Sequence, residues 1–224
     1  LEIVKDDPLK PFEKNELKPE ILSQKYGLGN NMAKSLRFWL KLCGIINDNP
    51  NSKERPSLTK FGLKNFGPNG LDPYLEKKET IWNLHYNIIS YKKNMSTWSW
   101  FFNYFGKQSF DRQQLVNEIS EAASTDKKEF SENNIKRDVD CFVRSYVSPN
   151  PSSVHTAEDV LECPLTELNL IRKVYGNVLS AKRDFQDRIP DELFLLSIHN
   201  LRKKLGISAN TITVETLLNS PYSP

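Results

Sequence analysis

Two stretches of this chain, NNMAKSLRFWLK starting at Asn30 and NNIKRDVDCFVR starting at Asn133, repeat one pattern, and that repeat constrains the fold more than any other feature. In the first, Met32, Leu36, Trp39, Leu40 and Cys43 recur at i, i+4, i+7, i+8 and i+11; in the second, Ile135, Val139, Phe142, Val143 and Tyr146 do the same. This spacing gathers the apolar side chains on one side of a helix with 3.6 residues per turn. Asn30, Lys34, Arg37 and Lys41 fall on the opposite side of the first copy, with Asn31 next to them. The second copy places Asn133, Arg137 and Arg144 at the matching positions, flanked by Asn134 and Lys136, and puts Asp140 where the first has Arg37. Lys and Arg neutralise phosphates and Asn can pair with an adenine edge, so these ten residues are the candidate DNA-binding set. An ordinary surface helix with solvated charges would carry the same pattern. Asp140 predicts that the second copy binds more weakly or is a structural echo of the first.

Each copy has a helix before it. Pro19 sits where a first-turn proline belongs, so 20–26 reads as a helix that turns at Gly27-Leu28-Gly29 into the first copy. Asp111 can cap a helix over 112–123, with Gln114 completing a capping box, and Ser131 can cap the second copy. Two helix-turn-helix units follow from this reading. The fold class expected is mainly α, two winged-helix-like units around an aromatic helical core, with small β elements.

The rest of the chain divides around these units. The first unit covers 1–70: a helical turn over 1–4, the helix pair, a polar loop over 47–56 in the place of a wing, and a short helix over 58–66 with Leu58, Phe61 and Phe66 inward and Thr59 and Lys60 outward. A central region, 71–106, holds a helix over 79–90 that is apolar nearly all round, and then TWSWFFNYF. Trp82, Trp98, Trp100, Phe101 and Phe105 are expected to form the core that joins the two units, and His85 to be a satisfied core residue. Unbroken by Arg or Lys, these aromatics fit a core better than a base-stacking platform. The second helix-turn-helix unit spans 107–148. The last region, 149–224, is mainly helical: a Pro/Ser loop with a solvated His155, an apolar series Leu165, Leu168, Leu170 and Ile171, a strand over 174–179, a helix over 189–205 and a shorter one capped by Thr213.

Bulk properties narrow the function. The chain has 224 residues, 38% of them hydrophobic, which is enough for one or two cores. A net charge of +3 and a pI near 8.6 are only mildly basic, so DNA affinity has to come from local patches. Cys43, Cys141 and Cys163 are far apart in sequence, with no CxxC pair. That argues against a disulfide framework or a zinc site and for a cytoplasmic location. No apolar run reaches the roughly 20 residues of a membrane span.

Six blocks, GLGNNMAKSLRFWLK, LTKFG, GLDPYLE, ETIWNLHYNI, SENNIKRDVDCFVRSY and PLTELNLI, resemble in sequence and order the bacterial domain-of-unknown-function family numbered 4007. The resemblance extends across most of the chain. Family members usually begin with a segment bearing a His-Glu-Thr-Phe-like motif and run past a Ser-Pro-Gly turn near the C-terminus, so this chain is expected to be a fragment. The resemblance implies a bacterial protein encoded beside DNA phosphorothioate-modification and phage-defence genes, and a role in nicking or handling DNA.

A search for catalytic motifs finds no Gly-rich phosphate loop, HExxH, GxSxG or nuclease-like acidic pair followed by Lys. Asp72, Glu76 and His85 are near in sequence but fit a turn and a core better than a metal site. No catalytic residue, cofactor or metal ligand is assigned, and whether the chain is an enzyme stays open. Three readings follow. One is a DNA-binding component of a modification or defence complex, with double-stranded DNA and other proteins of that complex as partners. A second is a metal-dependent nickase of the same system. The third is an assembly scaffold that makes no DNA contact.

Overall fold

A proline at the start and a left-handed glycine at the end define the first helix, α1 (Pro19–Tyr26), which stops where Gly27 takes φ +64°. The computed structural model describes residues 10–13, 15–48, 55–91, 96–125, 131–148, 162–181, 189–209 and 211–221. The expected turn over 1–4, most of the loop over 47–56, and His155 lie outside them. The chain divides into two units, residues 1–88 and 89–224. Among the described residues no helix is long and apolar enough to cross a membrane.

In the first unit α1 packs against α2 (Asn30–Leu42). Strands β1 (Ile46–Asn47) and β2 (Ser57–Leu58) then pair antiparallel, Ile46 opposite Leu58, and lead into α3 (Lys60–Phe66) and α4 (Lys78–Ser90). Phe12, Leu17, Leu22, Leu40, Ile46, Phe66 and Leu84 form one core. The apolar stripe expected on α2 is rotated from its predicted position. Met32 is 57% exposed, whereas its neighbour Ala33 is fully enclosed.

Leu58 and Thr59 also depart from the expected 58–66 helix. Leu58 is a strand residue, and Thr59 is not an outward-facing one. The Thr59 hydroxyl donates to the Gly44 carbonyl at 2.5 Å while accepting the Gly62 N–H at 2.9 Å, capping α3 and tying it to the turn after α2. Asp72 is buried, and its carboxylate accepts the Glu76 N–H at 2.8 Å and the Lys77 N–H at 3.1 Å just ahead of α4.

The second unit opens with α5 (Thr97–Tyr104), capped by Ser96, followed by β3 (Ser109–Phe110), α6 (Arg112–Thr125) and α7 (Glu132–Tyr146). Next come a 3-10 helix (Pro164–Leu168), the hairpin β4 (Ile171–Tyr175) and β5 (Val178–Ala181), α8 (Asp191–Leu205) and α9 (Val214–Asn219). The sheet order is β3-β5-β4, all antiparallel, so the strand before the helix pair joins the last strand after it. All five apolar positions read from the second repeat, Ile135, Val139, Phe142, Val143 and Tyr146, are buried.

Each unit has aromatic contacts of its own. Trp82 belongs to the first unit, edge-on to His85 with ring centroids 5.8 Å apart. In the second unit Phe101 stacks on Phe105 at 4.8 Å and meets Phe142 of α7 at 4.7 Å, and Trp98 meets Phe142 at 5.8 Å. Trp100 is only half-buried.

Two local expectations change. The single strand predicted over 174–179 is instead the tip of a hairpin: Val174-Tyr175 end β4, Val178-Leu179 begin β5, and Gly176-Asn177 between them form a two-residue turn with Gly176 at φ +54°. Asp111 does cap α6, accepting the Gln114 N–H at 2.8 Å. The Gln114 side chain, however, reaches forward to Glu118 at 3.2 Å and so does not close a capping box.

Candidate nucleic-acid interface

Helix α2 offers a polar face along Asn30, Lys34, Arg37 and Lys41. Asn30, Asn31 and Lys34 are exposed, and Lys41 is half-buried. Arg37 is already engaged. Its Nε and Nη2 both lie 2.8 Å from Oδ2 of Asp48, a carboxylate just past β1 that is only 7% exposed. This guanidinium therefore holds the strand end against the helix, and its charge is largely matched by a carboxylate. Arg37→Ala should cost about 1–3 kcal/mol of stability, because a buried carboxylate would lose its charged donor. Lys34→Ala should stay within about 0.5 kcal/mol. Urea unfolding of the two variants checks both numbers.

On α7, Asn133, Asn134, Lys136, Arg137 and Arg144 are all exposed. Lys136 pairs with Glu132 at 2.7 Å, and this hydrogen bond and charge hold the Glu132 carboxyl below its ordinary range. Arg144 Nε donates to the Asp140 carbonyl at 3.4 Å. Asp140, the acidic substitution in this face, sits 3.3 Å from Arg112 of α6, so its charge is partly offset inside the unit. Asn133 and Arg137 stand one turn apart on the same outward stripe as Arg144. Ser131 fixes this stripe by accepting the Asn134 N–H at 3.3 Å, and the buried apolar face of α7 holds it in place.

Further residues, which the helical pattern does not single out, lie on the β4–β5 hairpin. Arg172, Lys173, Tyr175 and Asn177 are all exposed, and Tyr175 reaches 85%. The register shifts between Lys173 and Tyr175, a bulge that leaves Val174 without an opposite residue. The signal was available in the Gly176-Asn177 dipeptide, a hairpin turn, with two basic residues and a tyrosine on its approach.

The remaining titratable groups have structural surroundings. Burial drives the His85 pKa down to about 3, so the ring is neutral. Burial alone would raise the Asp72 carboxyl. The Thr80 hydroxyl, the Glu76 and Lys77 amides and the Lys77 charge outweigh it and hold the group below the usual range. Burial pushes the thiols of Cys141 and Cys163 up. Among the described residues no three His, Cys, Asp or Glu side chains gather as a metal ion would require.

Comparison with known proteins places the chain. A crystal structure of SspB superposes with a TM-score of 0.80 at 23% identity, and a magnesium ion-bound crystal structure of SspB with 0.78 at 22%. Both likenesses cover 99% of this chain and 66% of the SspB chain, so the protein spans about two thirds of the length of the structures it matches. At this identity the likeness speaks for the fold. No curated relative matches the chain in sequence. The model of one family of proteins of unknown function, DUF4007, matches residues 3–224, and the chain belongs to that family.

Proposed function

We propose that this protein is a DNA-binding component of a bacterial DNA-modification or phage-defence system of the phosphorothioation type. On this reading both units are winged-helix-like, and α2 and α7 are the helices that face double-stranded DNA. The observation that carries the reading is the chain order of the second unit. A helix, a strand, two helices and a hairpin follow one another, with β3 pairing to β5 and the outward face of α7 holding Asn133, Arg137 and Arg144. In this arrangement the β4–β5 hairpin is the wing, and Arg172 and Lys173 add phosphate contacts to those of α7. In the first unit Asn30, Asn31, Lys34 and Lys41 are the contacting residues. Arg37 positions the strand end through Asp48 and adds little to affinity. The system-level assignment rests on the family resemblance and on the likeness to SspB.

Anisotropy titrations of a labelled duplex at several salt concentrations test this. Removing one Lys or Arg from the phosphate backbone should reduce the steepness of the log affinity against log salt line by about 0.9. The variants Lys34→Glu with Lys41→Glu, Arg137→Glu with Arg144→Glu, and Arg172→Glu with Lys173→Glu should each weaken binding and flatten that line. If all three pairs leave affinity and salt slope at the parent values, the DNA reading fails and the scaffold reading replaces it.

A second reading, a metal-dependent nickase, is favoured by one observation, that a matching structure is of a magnesium ion-bound protein. Incubating supercoiled plasmid with the full-length protein, with and without Mg or Mn, separates the two. Metal-dependent conversion to the relaxed form would make the protein an enzyme as well as a binder.

A further inference from the structure

Helix α8 buries one narrow edge, Leu193, Ser197 and Leu201, at 4%, 1% and 1% exposure. Three consecutive apolar side chains, Phe194, Leu195 and Leu196, are left outside at 41%, 66% and 46%. A run of this kind on a helix surface is avoided unless something covers it. Positions 192, 195, 196, 199 and 203 follow i, i+3, i+4, i+7 and i+11 spacing and so form one outward stripe. The stripe begins with the acid Glu192, continues with Leu195, Leu196 and His199, and ends with the base Lys203, all of them exposed. Among the described residues neither the Glu192 side chain nor the Lys203 side chain has a hydrogen-bond or ion-pair partner.

A sequence acidic at one end, apolar in the middle and basic at the other is complementary to itself when reversed. We propose that α8 is the contact of a two-fold homodimer, in which the α8 helices of two copies pack antiparallel. An isologous contact requires this kind of self-complementarity. Glu192 of each copy meets Lys203 of the other, and the two such pairs lie about 16 Å apart along the helix axis, eleven residues at a rise of about 1.5 Å. Leu196 lies against His199 of the second copy on both sides of the axis, and Leu195 borders the same apolar centre. A second copy covers Leu195 and Leu196 and matches the charged ends of the stripe, whereas a generic apolar partner would leave the charges without a role. One helix pair is a small interface, so the dimer dissociation constant should lie in the range of about 10–100 μM.

Sedimentation equilibrium of the whole chain between about 5 and 300 μM tests the proposal. The parent should move from monomer to dimer across that range. Glu192→Lys alone and Lys203→Glu alone should each raise the dissociation constant at least about tenfold. The double variant should return to within about threefold of the parent, because reversing both charges restores the complementarity. Both changes oppose the helix dipole, so a return of dimerisation cannot come from a better helix. Leu195→Glu, at an exposed position that leaves the buried edge intact, should leave only monomer, with circular dichroism unchanged. Three results would overturn the proposal: a parent monomeric at every concentration, a double variant no better than either single one, or a dimer indifferent to Leu195→Glu. In the first case the stripe is left for a different protein.

Discussion

Acidification should unfold the first unit well before its carboxylates alone would require, and replacing His85 should remove most of that sensitivity. The imidazole is fully enclosed in α4 beside Trp82, and its pKa falls from an ordinary 6.5 to about 3. The folded state therefore refuses a proton that the unfolded chain accepts over the whole interval between those values. His85 contributes its full stability above pH 6.5, and that stability is lost progressively as the pH drops toward 3. The loss runs at about 1.4 kcal/mol per pH unit, so it reaches about 2 kcal/mol by pH 5 and on the order of 4–5 kcal/mol over the full window. In urea titrations His85→Gln, which replaces the imidazole by a polar group that cannot titrate, should show a pH dependence flatter by about 2 kcal/mol between pH 7 and 5. An unchanged dependence in the variant would mean that the ring is protonated in the folded protein.

Gly62→Ala should be among the most damaging single-methyl changes available to this chain. A Cβ built at Gly62 would lie 2.1 Å from the Ile45 carbonyl oxygen and 3.0 Å from its carbon. The obstacle is backbone and cannot swing aside like a side chain. The same carbonyl accepts the Thr59 N–H at 3.0 Å, so moving α3 away would disturb the Thr59 cap and the β1–β2 entry together. Overpacking costs about 1–3 kcal/mol, and a clash with backbone puts this change at the upper end of that range. Gly106→Ala, where no atom lies within 4 Å of the added methyl, should be neutral or slightly stabilising. A thermal unfolding comparison of the two variants gives the answer, and equal melting temperatures would refute the close approach of α3 to Ile45.

The largest features of both units are legible in the residues because they depend on local periodicity. The stripe from Ile135 to Tyr146 has a strict helical spacing, and all five of its members are buried. Pro19, Gly27, Ser131 and Thr213 mark helix ends through backbone chemistry that needs no distant partner, and the folded chain uses each of them as an end. His85 falls in the core for the same reason, since a helix apolar on nearly every side has no outer face for it.

The tertiary structure decided what depends on contacts between residues far apart in the chain. Periodicity states that a helix has an apolar side, but not how that side is rolled against its neighbour. That is why Met32 is exposed and Ala33 enclosed. It gives no warning that Asp48, eleven residues on, would pair with Arg37, one of the candidate DNA-binding residues. The two-residue strand β3 carries too little pattern to be read at all. Its pairing with β5 follows only once the hairpin at Gly176-Asn177 has brought that strand back alongside it. The sequence by itself determined which helices form and where most of them end, because turns, caps and amphipathic spacing act over a few residues. Sheet order, helix roll and charge pairing come from closing long loops, and only the folded chain determines them.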